Sequence, residues 1–455
     1  MTCSFRPQVC VNRSIVVAFL LGSLTLAPDP ILAQNGGLQS SFRDLFKFGD
    51  GCGPEVLFCL QSGGDVSDFA QNAFSTTANA TAKDLTLFLQ SAIALGIANV
   101  PAPSAGSGET FRLSALGVPV RSEEKSLGPI FAERALTLGK GNLLVGANVT
   151  DLHFENLRGI SLEDLQLNVM QRDLPPAGPP LGNPTIEQTY LAVTTRMALD
   201  ARVANLFLSY GVTDRLDLSV LVPIAHLSLS GFSEAEIVIG EGQDPAAGFS
   251  FGGPAGDPKL RDFNEVPPAK ATGLGDISLR GKYRFSEIES RWGLALLGDL
   301  RLPTGREEDF LGSPGAWIQG LGILSLEAGA GFTPHINSGF VFRSGEGQRN
   351  AVNFALGFDH RTSDRITFAA EILSQVPLGS NPFVQEEVVI GDAQGIQTTI
   401  LSSNIPTLRD SQFDGAVGVK LRLGKLALLG NAIVPLNDGG LRGDVLWTVG
   451  LQGGF

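Results

Sequence analysis

Past residue 131 the chain repeats one pattern: apolar and polar residues alternate, then a turn intervenes. In "GDISLRGKYRF", Ile277, Leu279, Gly281, Tyr283 and Phe285 share one face. Asp276, Ser278, Arg280, Lys282 and Arg284 share the other. "RWGLALLGDLRL" sets Trp292, Leu294, Leu296, Leu300 and Leu302 against Arg291, Asp299 and Arg301. "RLDLSVLVPI" and "AVNFALGF" repeat the rule, and "VGVKLRL" puts Lys420 and Arg422 opposite Val417, Val419 and Leu421. Alternation with period two predicts strands that are apolar on one side. "NLLVGANVTDLHF" obeys only if its register slips near Thr150, as a bulge would allow. The chain ends inside such a segment, "DVLWTVGLQGGF", with Phe455 last.

Two architectures make strands of this kind, a soluble sandwich and a transmembrane barrel. Many segments run about ten residues or more, long enough to cross a bilayer when tilted. Their connections alternate in length. "GVTDR", "SEIES", "AGFTP", "RTSD" and "LGK" are tight. Residues 158–187, 229–271 and 377–411 read as long loops, and "PTGREEDFLGSPG", "SGEGQR" and "LNDGGLRG" as medium ones. Short turns at one end and longer loops at the other are the habit of outer-membrane barrels. The count between them predicts an all-β, antiparallel transmembrane β-barrel of about 12 strands, with 14 as the alternative. A closed barrel also explains a terminal strand, since its last strand pairs with its first and no edge is left.

Energetics assigns the faces. A Lys or Arg facing lipid costs roughly 2–4 kcal/mol at the midplane, so the charged face turns inward. The predicted lumen-lining residues are Asp276, Arg280, Lys282, Arg284, Asp299, Arg301, Glu371, Lys420 and Arg422. The cations either attract anionic solutes or pair with Asp276, Asp299 and Glu371 to fill the barrel. Pairing is preferred, because barrel interiors are commonly networked and the chain is acidic overall. Tyr210, Tyr283, Trp292, Trp317, Trp447 and Phe455 suit interfacial girdles.

Ahead of the barrel the pattern changes. Arg6 and Arg13 precede the apolar run "SIVVAFLLGSLTLA", and "PDPILAQ" offers a cut after Ala33, which predicts a secretory signal over residues 1–33. The run falls short of the roughly 20 apolar residues a spanning helix needs. Residues 34–130 mix Gly, Ser, Ala and Pro with short apolar pieces and are expected to form an N-terminal plug or periplasmic segment before the barrel at 131–455. Within them "AKDLTLFLQSAIALGIANVPAP" reads either as a buried helix of three or four turns or as a strand pair. Export makes a local disulfide between Cys52 and Cys59 the favoured state of "CGPEVLFC".

Composition then removes alternatives. Charged residues are only 17% and Gly is 56 of 455, too apolar for a disordered chain and very Gly-rich for an ordinary enzyme. A net charge of −13 argues against nucleic acid. The four histidines, His153, His226, His335 and His360, lack zinc-ligand spacing, and no nucleophile elbow occurs. His153 and Glu155 read as a lumenal polar pair rather than an acid–base couple. No catalytic residue, cofactor or metal is expected, and a barrel hydrolase is the weakest of three functional readings.

Several stretches together resemble a bacterial family named for the meta-pathway of phenol degradation. They are "GPIFAERALTLGKGNLLVGANV", "LSYGVTDRLDLSVLVPIAH", "GLGDISLRGKYRF", "LALLGDLRLPTG" and "FALGFDHRTSDRITFAAEIL", covering about 128–455 in order. The resemblance implies a barrel in the bacterial outer membrane, distantly similar to transporters of fatty acids and aromatic hydrocarbons. It implies passive transport of small hydrophobic or aromatic molecules past an N-terminal plug, with outer-membrane lipid around the barrel. The terminal strand ending in Phe455 itself resembles the recognition strand of bacterial outer-membrane proteins, which implies recognition by the barrel-assembly machinery. The alternative function is a non-conducting structural or surface-interaction barrel that acts through its long loops.

Overall fold

The computed structural model describes residues 37–53, 56–62, 68–98, 104, 111–113, 119–121, 126–170, 189–239, 248–254, 256–345, 348–381, 383–391 and 397–454. The signal segment expected at 1–33, and Phe455, lie outside these residues. Fourteen strands share one sheet. They are β1 (Leu143–Phe154), β2 (Leu165–Met170), β3 (Tyr190–Gly211), β4 (Leu216–Val238), β5 (Arg261–Leu274), β6 (Ser278–Arg284) and β7 (Trp292–Arg301). After these come β8 (Trp317–Leu326), β9 (Phe332–Arg343), β10 (Ala351–Arg361), β11 (Ile366–Pro377), β12 (Gln412–Leu423), β13 (Leu426–Pro435) and β14 (Leu446–Gly454).

Twelve of them, all but β2 and β5, form a closed antiparallel barrel. Closure is made by β14 against β1, from Trp447 opposite Asp151 to Gly454 opposite Leu144. The final strand therefore has partners on both sides, β13 and β1. The tight turns fall where they are expected, and the two long strands β3 and β4 meet through one of them, at 212–215.

The outer face of the lower barrel is apolar and open. Leu208, Leu218, Tyr283, Trp292, Leu296, Ile318, Phe340, Leu356, Ile372, Val417 and Val449 all stand exposed on it. Polar and charged residues fill the opposite face: Asn148, Asn205, Asp217, Lys282, Asp299, Asn337, Glu371 and Lys420 are buried. Apolar outside and charged inside, in a closed barrel, is the arrangement of a protein of the bacterial outer membrane. Among the described residues no helix is long and apolar enough to cross a membrane.

Partway up β1, β3 and β4 the two faces exchange chemistry. Along the outward face of β3, Tyr210, Leu208, Leu206 and Ala204 give way to Arg202, Asp200, Ala198 and Arg196. On its inward face Ser209 and Asn205 give way to Ala201, Leu199, Met197, Val193 and Leu191, all buried. β4 repeats the exchange beside it, with Ile224 opposite Ala204 and His226 opposite Arg202. β1 changes at Thr150, and its pairing with β3 runs unbroken from Leu143 opposite Tyr210 to Phe154 opposite Leu199. The bulge expected near Thr150 is therefore absent. The alternation breaks there because the surroundings change, from lipid outside to water outside, while the register stays fixed.

Above that level β3 and β4 rise as a wall, flanked by β2 and β5. Residues 229–238 and 261–271, expected in a loop, are therefore strand. The ladder continues because the wall's inner face has an apolar partner to bury it. That partner is the N-terminal region: α1 (Leu38–Asp44), the loop closed by the Cys52–Cys59 disulfide, and α2 (Asp68–Ala98). Phe42, Phe46, Phe48, Phe58 and Ile93 join Leu199, Leu227, Leu229 and Phe251 in one core. Phe48 and Phe58 stack with ring centroids 5.6 Å apart. α2 is 31 residues long, far beyond the expected three or four turns. Its apolar residues face neighbours on several sides, which explains the lack of a clean polar stripe in its sequence. The expected loop at 158–187 contains β2, and that at 377–411 contains a hairpin of Glu387–Gly391 with Gln397–Leu401.

Candidate functional site: a lumenal chamber between a strap and a helix

Residues 126–138 cross the inside of the barrel near its short-turn end. The strap adds no strand to the sheet and is held by side chains of the wall. The Glu371 carboxylate accepts the backbone N–H groups of Ile130 (2.6 Å), Phe131 (3.0 Å) and Ala132 (2.9 Å). Asn337 exchanges two hydrogen bonds with the backbone of Glu133, at 2.7 and 2.8 Å. Leu127 N–H donates to Thr367 Oγ1 (3.0 Å), Ala135 N–H to Ser325 Oγ (3.3 Å), and Leu138 N–H to the Asp217 carboxylate (2.9 Å). Arg134 and Ser126 both bind Asp359. Lys420 donates to the carbonyl of Leu127 at 3.3 Å and to that of Pro129.

The strap lies very close to the wall. A Cβ at Gly418 would fall 2.7 Å from Ile130 Cδ1, and one at Gly293 would fall 2.8 Å from the Ala135 Cβ. Glycine at these two wall positions leaves room for the strap's side chains.

Above the strap lies a cavity of about 200 Å³. Phe131, Ala132 and Glu133 of the strap line one side of it. The barrel contributes Arg280, Asp299 and Arg301 with Leu297, Trp317, Leu321, Val341 and Gln375. On the long-loop side the C-terminal turns of α2 approach the same walls. Leu95 packs on the cluster of Trp317, Val341 and Ala351. Ala94 and Ile97 line a pocket of about 50 Å³ that shares Arg301 with the chamber. Phe88 and Leu95 line another of that size, which shares Gln412 with it. The chamber thus sits between two obstructions of different origin.

The sequence-predicted lumenal residues divide into groups. Arg280 pairs with Asp299 at 3.0 Å, and Lys282 with Glu133 of the strap at 3.2 Å. Glu371 and Lys420 bind strap backbone, as described. Asp276 accepts from Gly305 N–H (3.1 Å) and from the N–H (2.8 Å) and hydroxyl (2.5 Å) of Ser313, fastening the loop between β7 and β8. Arg284 donates to the carbonyls of Glu287 (2.6 Å) and Ile288 (3.1 Å), and Arg422 to that of Asp364 (2.6 Å). These last two arginines secure short turns. Arg301 lies over the Trp317 ring, 4.7 Å from its centroid, and Arg343 lies 4.2 Å from it.

Two expectations fail. Trp317 is buried at 5% exposure and belongs to the lumen, whereas Tyr210, Tyr283, Trp292 and Trp447 are exposed. Its strand turns that position inward, so an aromatic at a strand end need not reach the interface. His153 is on the outer face of β1 and pairs with Asp200 of β3, because the exchange of faces at Thr150 leaves it above the apolar band.

Alternation puts Asp217 on the polar face of its strand without giving it a role, and sequence reasoning missed Asn337, Asp359, Arg343 and the strap residues Glu133 and Arg134. The available signal was a charged pair inside "GPIFAERAL", a stretch with neither strand alternation nor turn residues around the pair. His335 is buried 3.8 Å from Asp359 and 4.0 Å from Glu371. Among the described residues no three His, Cys, Asp or Glu side chains are grouped to hold a metal.

Closed, apolar without and charged within, the molecule belongs to the class of outer-membrane barrels. Solved structures of similar fold include an outer-membrane channel from Pseudomonas putida F1, at 13% identity, covering 70% of this chain and 98% of that one, with a TM-score of 0.40. A FadL homologue from Pseudomonas aeruginosa is 12% identical over 70% of this chain and 90% of its own, with a TM-score of 0.30. The toluene transporter TbuX of Ralstonia pickettii is 11% identical over the same shares, with a TM-score of 0.27. No family model and no curated protein matches the chain.

Proposed function

We propose that this barrel is a gated outer-membrane conduit for small aromatic or otherwise hydrophobic solutes. The observation that carries the reading is the way the lumen is blocked. The strap is held by side-chain hydrogen bonds to Glu371, Asn337, Asp359 and Thr367, so its release breaks no rung of the barrel ladder. On the other side, α2 meets the chamber through apolar packing at Leu95 and Ile97 rather than through the sheet. A chamber between two removable closures suits passage in steps. The resemblance to the phenol meta-pathway family supports single-ring solutes, and Trp317, Phe131, Leu297 and Leu321 offer an apolar surface for them. The terminal strand, ending in Phe455, is proposed as the handle for the barrel-assembly machinery.

Uptake of a labelled single-ring arene by whole cells, with and without the chain in their outer membrane, tests the reading. Faster uptake is expected with the chain present. Equal rates, with the barrel folded in the membrane, would reject it. One observation favours a second reading, in which the barrel conducts nothing and works through its long-loop face: the N-terminal region and wall have a large core of their own outside the apolar band. That reading requires equal uptake.

A further inference from the structure

α1 and the start of β1 lie at opposite ends of the barrel. Leu38 N–H donates to Asp309 Oδ1 (3.1 Å) and Gln39 Nε2 to the carbonyl of Glu307 (2.8 Å), both in the loop between β7 and β8. Phe42 meets Phe310 of the same loop edge-on, with ring centroids 6.3 Å apart. Phe88 of α2 stacks on Phe383 at 5.0 Å, and the Arg158 guanidinium lies 4.7 Å from the Phe88 ring centroid. Phe310, Phe383 and Arg158 stand on three different connections at the long-loop end. The strap is tied to the other end. Thr137 Oγ1 donates to the carbonyl of Asp214 (2.7 Å) and Lys140 N–H to its carboxylate (3.1 Å), in the tight turn between β3 and β4. Ser104 N–H already donates to the carbonyl of Ile130 in the strap, at 3.1 Å. Ile97, by contrast, lines the pocket beside Asn205 and Arg301, above the chamber. Between Ile97 and Ser104 the chain therefore changes ends within a closed barrel.

The wall itself marks where lipid stops. Val149, Ala204, Ile224 and Leu274 are register partners across β1, β3, β4 and β5, and they make the last apolar row of the outward face. Two residues further along each strand the row reads Asp151, Arg202, His226 and Thr272. Arg202 pairs with Asp151 at 2.5 Å, and His226 bonds Thr272 at 2.6 Å. Both members of that ion pair are 59% exposed, which suits water or headgroups and not hydrocarbon. From Arg202 to Tyr190, β3 runs on for roughly 40 Å along the strand. Leu199, Leu227 and Leu229, which bury α1 and α2, all lie beyond the charged row. Outer-membrane barrels keep short turns in the periplasm and longer loops outside. We propose that α1, the Cys52–Cys59 loop and α2 form a cap on the outer surface of the cell, from which the chain runs through the barrel lumen to a strap on the periplasmic side. The N-terminal region is then neither a simple plug nor a periplasmic segment. The inference rests on the conduit reading only for its consequence: a solute from the medium meets the cap first, the chamber next and the strap last.

Native lysines report the two sides without any substitution. Lys47 and Lys83 are exposed on the cap, and Lys259 on the loop ahead of β5. Lys140 and Lys425 are exposed at the short-turn end. Intact cells carrying the chain, with surface polysaccharide trimmed until Lys259 reacts, are treated with an amine-reactive polyethylene glycol too large to pass porins. Mass spectrometry then identifies the modified lysines. Lys47 and Lys83 are expected to react as Lys259 does, while Lys140 and Lys425 stay unmodified until the outer membrane is permeabilised. Modification of Lys259 with Lys47 and Lys83 spared in intact cells would overturn the cap. Modification of Lys140 and Lys425 in place of Lys47 and Lys83 would overturn it equally. Labelling owes nothing to transport. Surface-reactive Lys47 and Lys83 in a barrel that takes up no arene would keep the cap and reject the conduit. Faster uptake with both lysines shielded until permeabilisation would do the reverse.

Discussion

Leu208 and Ala198 stand on the same face of the same strand, ten residues apart, and both are exposed. Leu208 belongs to the apolar band of the lower barrel. Ala198 is flanked on that face by Arg196 and Asp200, in the wall above it. The opposite face shows the mirror image, with Ser209 and Asn205 below and Leu199 and Met197 above. Pleating fixes which residues share a side, but the surroundings decide which side should be apolar. One strand of 22 residues therefore reads as two patterns in opposite phase.

The largest effect should come from the upper, inward face. Leu199→Ala opens a hole in the core shared with α1 and α2 and should cost about 2–5 kcal/mol there. Limited proteolysis should show faster cutting of the N-terminal region, while the barrel itself still resists unfolding. A similar loss of both would mean that wall and barrel are one cooperative unit.

Next comes the outward face itself. Leu208→Arg puts a cation against lipid and should destabilise by about 2–4 kcal/mol, whereas Ala198→Arg on the same face should stay within about 0.5 kcal/mol. Urea titrations of folding into vesicles measure both. Equal costs would place the membrane boundary elsewhere.

The smallest effect is pH-dependent and confined to the wall. Asp262, on β5, bonds the Gly49 N–H at 2.6 Å and Lys259 at 2.6 Å. Partial burial pushes its carboxyl up, but those partners outweigh it and hold the group below its ordinary value. Its contribution to docking the N-terminal region is present above the unfolded pKa of about 3.9 and fades as pH falls through the lower folded one. Hydrogen exchange around Gly49 should rise over that range in the parent chain. In Asp262→Asn the same exchange should already be fast at neutral pH.

Much of the lower barrel was legible in the sequence. Where lipid faces one side, as in "RWGLALLGDLRL", alternation marks both strand and face, and tight turns mark the ends. The wall was illegible for the reason the comparison shows. Residues 229–238 place Glu234 and Glu236 outward and Ala235 and Ile237 inward, which makes sense only with α1 and α2 behind them. A strand whose apolar face is covered by a distant segment looks like a loop when read alone. The strap was hidden for a related reason. Its backbone is satisfied by Glu371, Asn337 and Asp217, residues roughly 80 to 240 positions away. No local pattern records such partners. Arg280 and Asp299 were recognisable as inward residues from alternation, but not Trp317, whose position at a strand start suggested the interface.

Single-channel recording in planar bilayers puts the strap to the most direct test, comparing the chain from residue 34 onward with its Asp359→Asn/Glu371→Gln variant. Each carboxylate supplies charge-assisted hydrogen bonds worth about 1.5–3 kcal/mol. The parent should be closed with rare openings, and the double variant should open more often by about tenfold or more. If the variant is folded and as silent as the parent, the strap is fixed filling rather than a gate, and the conduit account is wrong.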